Sequence, residues 1–304
     1  MMRVSVTYLY TISRYGYPPA IDDDVKALAE IERMGFHFLE MEALGEEHGR
    51  QVWQRRSELK SALDGHGIHV HNFCIVDPKL VSLNAKVRAA AYDRFRQMAE
   101  LGVFLGAETL HLASYAPPVN YEGEAPYALG GDYKFGDTFR MRLPDGFDWG
   151  AVWAALVDSC RKCAAIAAEH GRTILMEPRV GEVVCSVDSM LRLIADVGMP
   201  NFKANFDTAH FAAQRENVVL ALAKLAGNYA NIHISDNDPI NTNHITLGEG
   251  KIDWEEFFRV LKLHGYQGYL GLDLGLTPTL AHDLKWSLAY VLEVGKRAGV
   301  EIAH

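Results

Sequence analysis

Cysteine is scarce in this chain, with four residues in 304. Cys74 and Cys185 stand alone, and Cys160 and Cys163 form one C-x-x-C in DSCRKCAAIAAEH. That supply excludes a disulfide-built scaffold, and without a second close pair it completes no four-cysteine zinc site. The pair reads as helical thiols of a reducing compartment. No apolar run reaches the roughly 18 residues of a membrane-spanning helix. The stretch MMRVSVTYLYTISRYGYPP lacks the charged leader and long apolar core of an export signal, so a soluble cytoplasmic protein is expected. Basic residues are outnumbered 30 to 39, for a net charge of −9. This balance repels phosphate backbones and anionic lipid heads, and no nucleic-acid or membrane partner is expected. A phosphate loop is missing as well: GEG at 248–250 has no G-x-x-x-x-G-K-[ST] frame.

The composition that remains, 49% hydrophobic, 23% charged and 10% aromatic, is that of a globular protein able to bury a large core. Short β-branched or aromatic runs alternate with longer helical patterns. Strands are expected at Arg3–Tyr10, His37–Met41, Gly67–Cys74, Glu108–Leu112, Thr173–Glu177, Lys203–Asp207, Asn231–Ile234 and Tyr269–Asp273. Between them, apolar residues recur at helical spacing, as in Val87-Tyr92-Phe95-Met98 and Val219-Leu222-Leu225. Asp253 followed by Glu256 predicts a capping box for a helix over Trp254–His264. Gly65, Gly102, Gly171, Gly198, Gly227 and Gly265 supply stop signals. Strict alternation of this kind predicts an α/β fold, a closed (β/α)8 TIM barrel spanning 1–304 as one domain.

One segment breaks the rhythm. Residues Ser114–Asp148 are rich in Pro, Gly and Tyr and show no apolar period. As an insertion after strand four, this loop leaves from the catalytic face. Its aromatic content suits a lid over a sugar or a subunit interface, and a homo-oligomer is expected.

Four apolar runs end in a carboxylate or an imidazole: ILME at Glu177, ANFD at Asp207, NIHI at His233 and YLGLD at Asp273. In a parallel barrel such strand ends converge on one face. Three oxygen ligands and one imidazole nitrogen are what a divalent cation needs, and buried acids there are costly unless paired or bound to metal. Mn, Mg and Co all suit this donor set.

The motifs NFDTAHF, NIHISDND, HITLGEGKIDW and GYQGYLGLD resemble the xylose-isomerase-like TIM-barrel superfamily of sugar isomerases and epimerases. That superfamily also holds inosose dehydratases, hydroxypyruvate isomerases, ketose 3-epimerases and endonuclease IV enzymes. The resemblance covers essentially the whole chain and is strongest from Thr173 to Asp273. It implies that Glu177, Asp207, His233 and Asp273 are metal ligands, that the ion is manganese before magnesium or cobalt, and that the substrate is a small sugar. Asp273 departs from the family's usual glutamate and is one methylene shorter.

The resemblance also implies that His210, in D-T-x-H, touches the sugar's oxygens. It places His244 where the family uses a basic residue against a terminal sugar oxygen. Glu182 falls near a second acid that orients the catalytic glutamate in ketose epimerases. Arg179 either holds an anionic group or pairs with Glu182. Asp236 is either an acceptor for His233 or a loop cap. His69, His71 and His111 either line the pocket or are hydrogen-bonded core histidines, and Glu40 sits where the family often carries a glutamate on strand two.

The chemistry implied is that of a metal-dependent sugar isomerase or epimerase: Glu177 abstracts the proton beside a ketose carbonyl to give an enediolate, and return of the proton by Asp273 to the opposite face gives epimerisation, or to the adjacent carbon isomerisation. The alternative is elimination from a keto-sugar. An example is the barrel subunit of a C-glycoside deglycosidase, which acts on 3-keto-glycosides with a small partner subunit. The aspartate at 273 gives that alternative weight.

Overall fold

The computed structural model describes residues 1–122, 140–238, 242–275 and 277–304. Its strands are β1 (Met2–Val6), β2 (Phe38–Leu44), β3 (His69–Val76), β4 (Thr109–Ala113), β5 (Asn120–Glu122), β6 (Arg140–Arg142), β7 (Thr173–Glu177), β8 (Phe202–Asp207), β9 (Tyr229–Ile234), β10 (Tyr269–Leu272) and β11 (Ile302–Ala303). Eight of them, β1 to β4 and β7 to β10, pair in parallel in the order β1-β2-β3-β4-β7-β8-β9-β10. Pairing of β10 with β1 (Arg3 opposite Tyr269, Val6 opposite Leu272) closes the ring. This is the expected (β/α)8 barrel. The short β11 pairs in parallel with the start of β1, Met2 opposite Ile302.

The helices form for local reasons. The one at Ile21–Arg33 carries Asp22, Asp23 and Asp24 in its first turn, where the helix dipole favours anions, and buries Leu28 and Ile31. The helix at Val187–Val197 starts with a Ser186–Ser189 capping box and stops at Gly198, whose φ of 64° suits glycine. At Trp254–Leu263 half of the expected capping box forms. Asp253 accepts from the Glu256 backbone at 3.1 Å, while the Glu256 side chain turns to Arg259. The apolar faces pack against the outside of the barrel, where Phe206 meets Phe211 at 4.7 Å and Phe257 at 6.1 Å between ring centres. Cys160 and Cys163 are buried there, and burial pushes both thiols up.

The largest departures from expectation are at the ends of two strands. Strand one ends at Val6, and residues Leu9–Tyr15 turn into a helix instead of continuing to Tyr10. Strand two runs on to Leu44, three residues past its expected end. The register of β2 against β3 slips between Leu39 and Glu40. At that bulge His71 and Asn72, neighbours in sequence, both reach the polar interior, His71 bonding Ser5 and Asn72 bonding Glu40. Within the insertion, β5 and β6 pair as an antiparallel ribbon. Residues 123–139 of the expected lid lie outside those described.

Candidate active site

The barrel interior is built in polar layers. At its base His69 pairs with Glu108 at 2.9 Å, and the buried His71 stacks on Tyr269 with ring centres 3.8 Å apart. His71 also hydrogen-bonds Ser5 at 2.8 Å, so it is a satisfied core histidine and does not reach the mouth. Above this, Glu40 takes hydrogen bonds from Asn72 at 2.8 Å and Asn231 at 2.9 Å. Its Oε2 lies 2.9 Å from His233 Nε2. Burial raises the Glu40 carboxyl pKa, but the imidazoles of His233, His71 and His111 outweigh it and bring the group down to about 2.

At the mouth, strands β7, β8, β9 and β10 bring the four predicted end residues together. Glu177 Oε1 lies 2.8 Å and Asp207 Oδ2 3.7 Å from His233 Nδ1. Glu177, Asp207 and His233 offer ligand atoms within 4.8 Å of one another, and so do Asp207, His244 and Asp273. Asp207 belongs to both groups, so the quartet is contiguous. A third group, Glu40, His111 and His233, lies beside them.

The donor set fits a divalent ion. Asp207 Oδ1 is occupied by the His210 backbone N–H at 2.9 Å, yet its buried Oδ2 has no hydrogen-bond partner among the described residues. A buried, orphaned carboxylate oxygen beside an imidazole and a second carboxylate is a site that can hold a metal. The Glu40–His233 contact adds the carboxylate that commonly orients a ligating histidine. Burial lowers the His233 pKa, but Glu40, Asp207 and Glu177 reverse that and hold it well above the usual imidazole range. The same imidazole outweighs burial at Glu177 and lowers its carboxyl.

Both oxygens of Asp273 have a protein partner, with a lone pair left on each. Thr7 donates to its Oδ1 at 2.6 Å and His244 Nδ1 sits 2.9 Å from its Oδ2. Burial opposes the charge, but His244 and His233 hold the Asp273 carboxyl below its ordinary value. Asp273 in turn lifts His244 against burial to about 9. His244 therefore partners Asp273, and its backbone sits at φ 48°, a left-handed conformation uncommon outside glycine. His210 meets the His244 ring edge-on at 5.6 Å, and burial depresses it to about 3. Arg179 lies between Glu177 at 3.9 Å and Glu182 at 3.8 Å. Burial raises the Glu182 carboxyl, and its Oε2 is orphaned. His111 stands 5.7 Å from the His233 ring, bonded to Asn72 through Nδ1 at 3.2 Å, with Nε2 unpartnered among the described residues.

Asp236 proves to be a loop cap. Its carboxylate accepts from the backbone of Gly248 (2.9 Å) and Ile252 (3.3 Å) and from Trp254 Nε1 (2.8 Å). The wrap is close enough that a Cβ on Gly250 would come within 2.1 Å of Asp236 Oδ1. GEGKIDW is therefore a strap around one buried acid.

The family profile described as xylose isomerase-like TIM barrel matches residues 28–293. The chain belongs to that family. An L-ribulose-5-phosphate 3-epimerase of Salmonella heidelberg (strain SL476) is 24% identical over 257 residues, 82% of this chain and 81% of that protein. A fructoselysine 3-epimerase of Escherichia coli O157:H7 is 28% identical over 126 residues, 40% of this chain and 46% of that protein. Among solved structures, a 3-keto-D-glucoside 4-epimerase from E. coli superposes with a TM-score of 0.71 at 18% identity, covering 96% of this chain and 100% of that one. A D-psicose 3-epimerase from Clostridium cellulolyticum H10 gives 0.72 at 17%, covering 97% and 99%. The family's sugar epimerases are thus this chain's homologues, at low identity.

Sequence reasoning missed Thr7, Asn205 and Asn231, which tie the acids in place, and Glu42. Glu42 follows Glu40 by two residues on β2 and, like it, points inward. Burial and then the carboxylates of Glu177, Asp273 and Glu40 push it up to about 8. The alternation in FLEMEAL carried the signal, but ending the strand at Met41 hid it.

Proposed function

We propose that this protein is a divalent-metal-dependent sugar epimerase that removes the proton beside the carbonyl of a ketose or keto-sugar. The supporting observation is the buried Glu177–Asp207–His233 cluster with its orphaned Asp207 Oδ2. Glu177, Asp207, His233 and Asp273 would hold the ion, with manganese the first choice and magnesium or cobalt also suited. When bound, that ion supplies Lewis-acid polarisation of the substrate carbonyl.

The remaining work falls to side chains. Glu177 accepts the proton, its Oε1 held by Asn205 Nδ2 at 2.8 Å. Arg179 steadies Glu177 and Glu182 at the rim, and His210 and His111 offer imidazoles to the sugar's hydroxyls. Elimination from a 3-keto-glycoside shares the first step. The engaged Asp273, a poor candidate for returning a proton, favours that second reading.

The test is metal content and deuterium wash-in from solvent into a panel of ketoses, for the wild type and for Glu177→Ala and Asp207→Ala. Loss of metal and of exchange with folding intact is expected. Unchanged metal content in both variants overturns the proposal, and aglycone release from a 3-keto-glycoside without exchange into ketoses selects the elimination reading.

A further inference from the structure

Epimerisation needs two proton-carrying groups on different sides of one carbon, and in this barrel the obvious second carboxylate is tied down. Asp273 has both oxygens committed, one to Thr7 at 2.6 Å and one to His244 at 2.9 Å. Around the ring, β10 stands three strands from β7, the strand of Glu177. Counted the other way through β4 and β3, β2 also stands three strands from β7. An inward residue at the mouth end of β2 therefore views the substrate position from as far round as Asp273 does, on the side free of the four clustered acids and imidazole.

Glu42 is that residue. It lies one strand pleat closer to the mouth than Glu40, opposite Cys74 of β3. It is half-buried in a strand whose neighbouring positions are buried. Its carboxyl makes no hydrogen bond among the described residues. The charged groups acting on it are Glu177, Asp273, Glu40 and Arg179, which are those of the site itself. A half-buried acid without a protein partner is open to a ligand entering from the mouth.

We propose that Glu42 is the second catalytic acid–base of the site, facing the sugar across from Glu177 and taking the part its sequence position would have given to Asp273. This rests on the epimerase reading above. In the forward direction the Glu177 carboxylate takes the proton from the carbon beside the carbonyl, and the C–H electron pair becomes the enediolate. The Glu42 carboxyl then gives its proton to the opposite face of that carbon and is left as carboxylate. Solvent restores both groups after product leaves.

The experiment uses the manganese-loaded full chain in deuterium oxide with D-tagatose, D-psicose and L-ribulose as probes, and follows exchange and net inversion separately. Glu42→Gln is expected to lower inversion by about 100-fold or more, the usual contribution of a positioned general acid. Exchange through Glu177 should stay within about 10-fold and metal content should be unchanged. Glu42→Asp, which keeps the acid one methylene back, is expected to recover part of the inversion and guards against a misfolded glutamine variant. Inversion within about 3-fold of wild type in Glu42→Gln overturns this proposal alone, as does loss of manganese in either folded variant. A wild type that exchanges no deuterium into any probe overturns the epimerase reading and this proposal with it.

Discussion

Glu40 Oε2 sits 2.9 Å from His233 Nε2, so one imidazole nitrogen is held from below while the other faces Glu177 and Asp207. The contact joins strands that are remote in the chain, and it decides which nitrogen is left for a cation. Replacing Glu40 with Gln keeps the shape but removes the charge. Metal affinity is expected to fall about 10–100-fold, as for other carboxylates behind a ligating histidine. Calorimetric titration of manganese into metal-stripped protein measures it, and affinity equal to wild type would show that the contact orients nothing.

Gly271 makes that contact possible. A Cβ there would come within 2.8 Å of Thr7 Cγ2, 2.9 Å of Glu40 Oε1 and 3.2 Å of His233 Cδ2. Gly271→Ala is expected to destabilise the fold by about 1–3 kcal/mol and to lower bound metal. Denaturant melts with metal analysis provide the check; a stable variant with full metal content would contradict the crowding.

Asp236 anchors the strap that leads from His244 back to the helix at Trp254–Leu263. Asp236→Ala removes the acceptor for Gly248, Ile252 and Trp254 at once. With hydrogen bonds to a charged group each contributing about 1.5–3 kcal/mol, a loss of several kcal/mol is expected. Proteolysis should begin within 242–253, and protection there equal to wild type would argue against an anchoring role.

Asp24 gives a pH signature away from the site. It accepts from Tyr8 at 2.6 Å and is raised from 3.8 to about 7, chiefly by burial. Between those values the folded state keeps a proton that the unfolded chain has released. Its favourable contribution is therefore present below pH 3.8 and lost as pH rises through 7. Asp24→Asn, which keeps the acceptor, is expected to gain on the order of 1–3 kcal/mol over wild type at pH 8 and nothing near pH 4. Melting curves across that range decide it, and a gain independent of pH would rule out the buried carboxyl as its source.

The barrel and the quartet at 177, 207, 233 and 273 were legible because apolar strands ending in hard ligands are an unusual pattern with a simple geometric meaning. The opposing half was not. Whether Glu40, Glu42, His71 and Asn72 face inward depends on where β2 ends and on a bulge between Leu39 and Glu40, and a one-residue slip reverses every side chain of a strand. The roles of Asp236 and His244 were hidden for a different reason: each is defined by a partner that only the fold brings near.

The two halves of the ring divide the work. The quartet proposed to hold the ion comes from a stretch of under a hundred residues late in the chain, whereas Glu40, Glu42 and His111 reach the same interior from β2 and β4. Any graft of β2 from a relative must therefore keep Glu40, or the His233 imidazole loses its support from across the barrel.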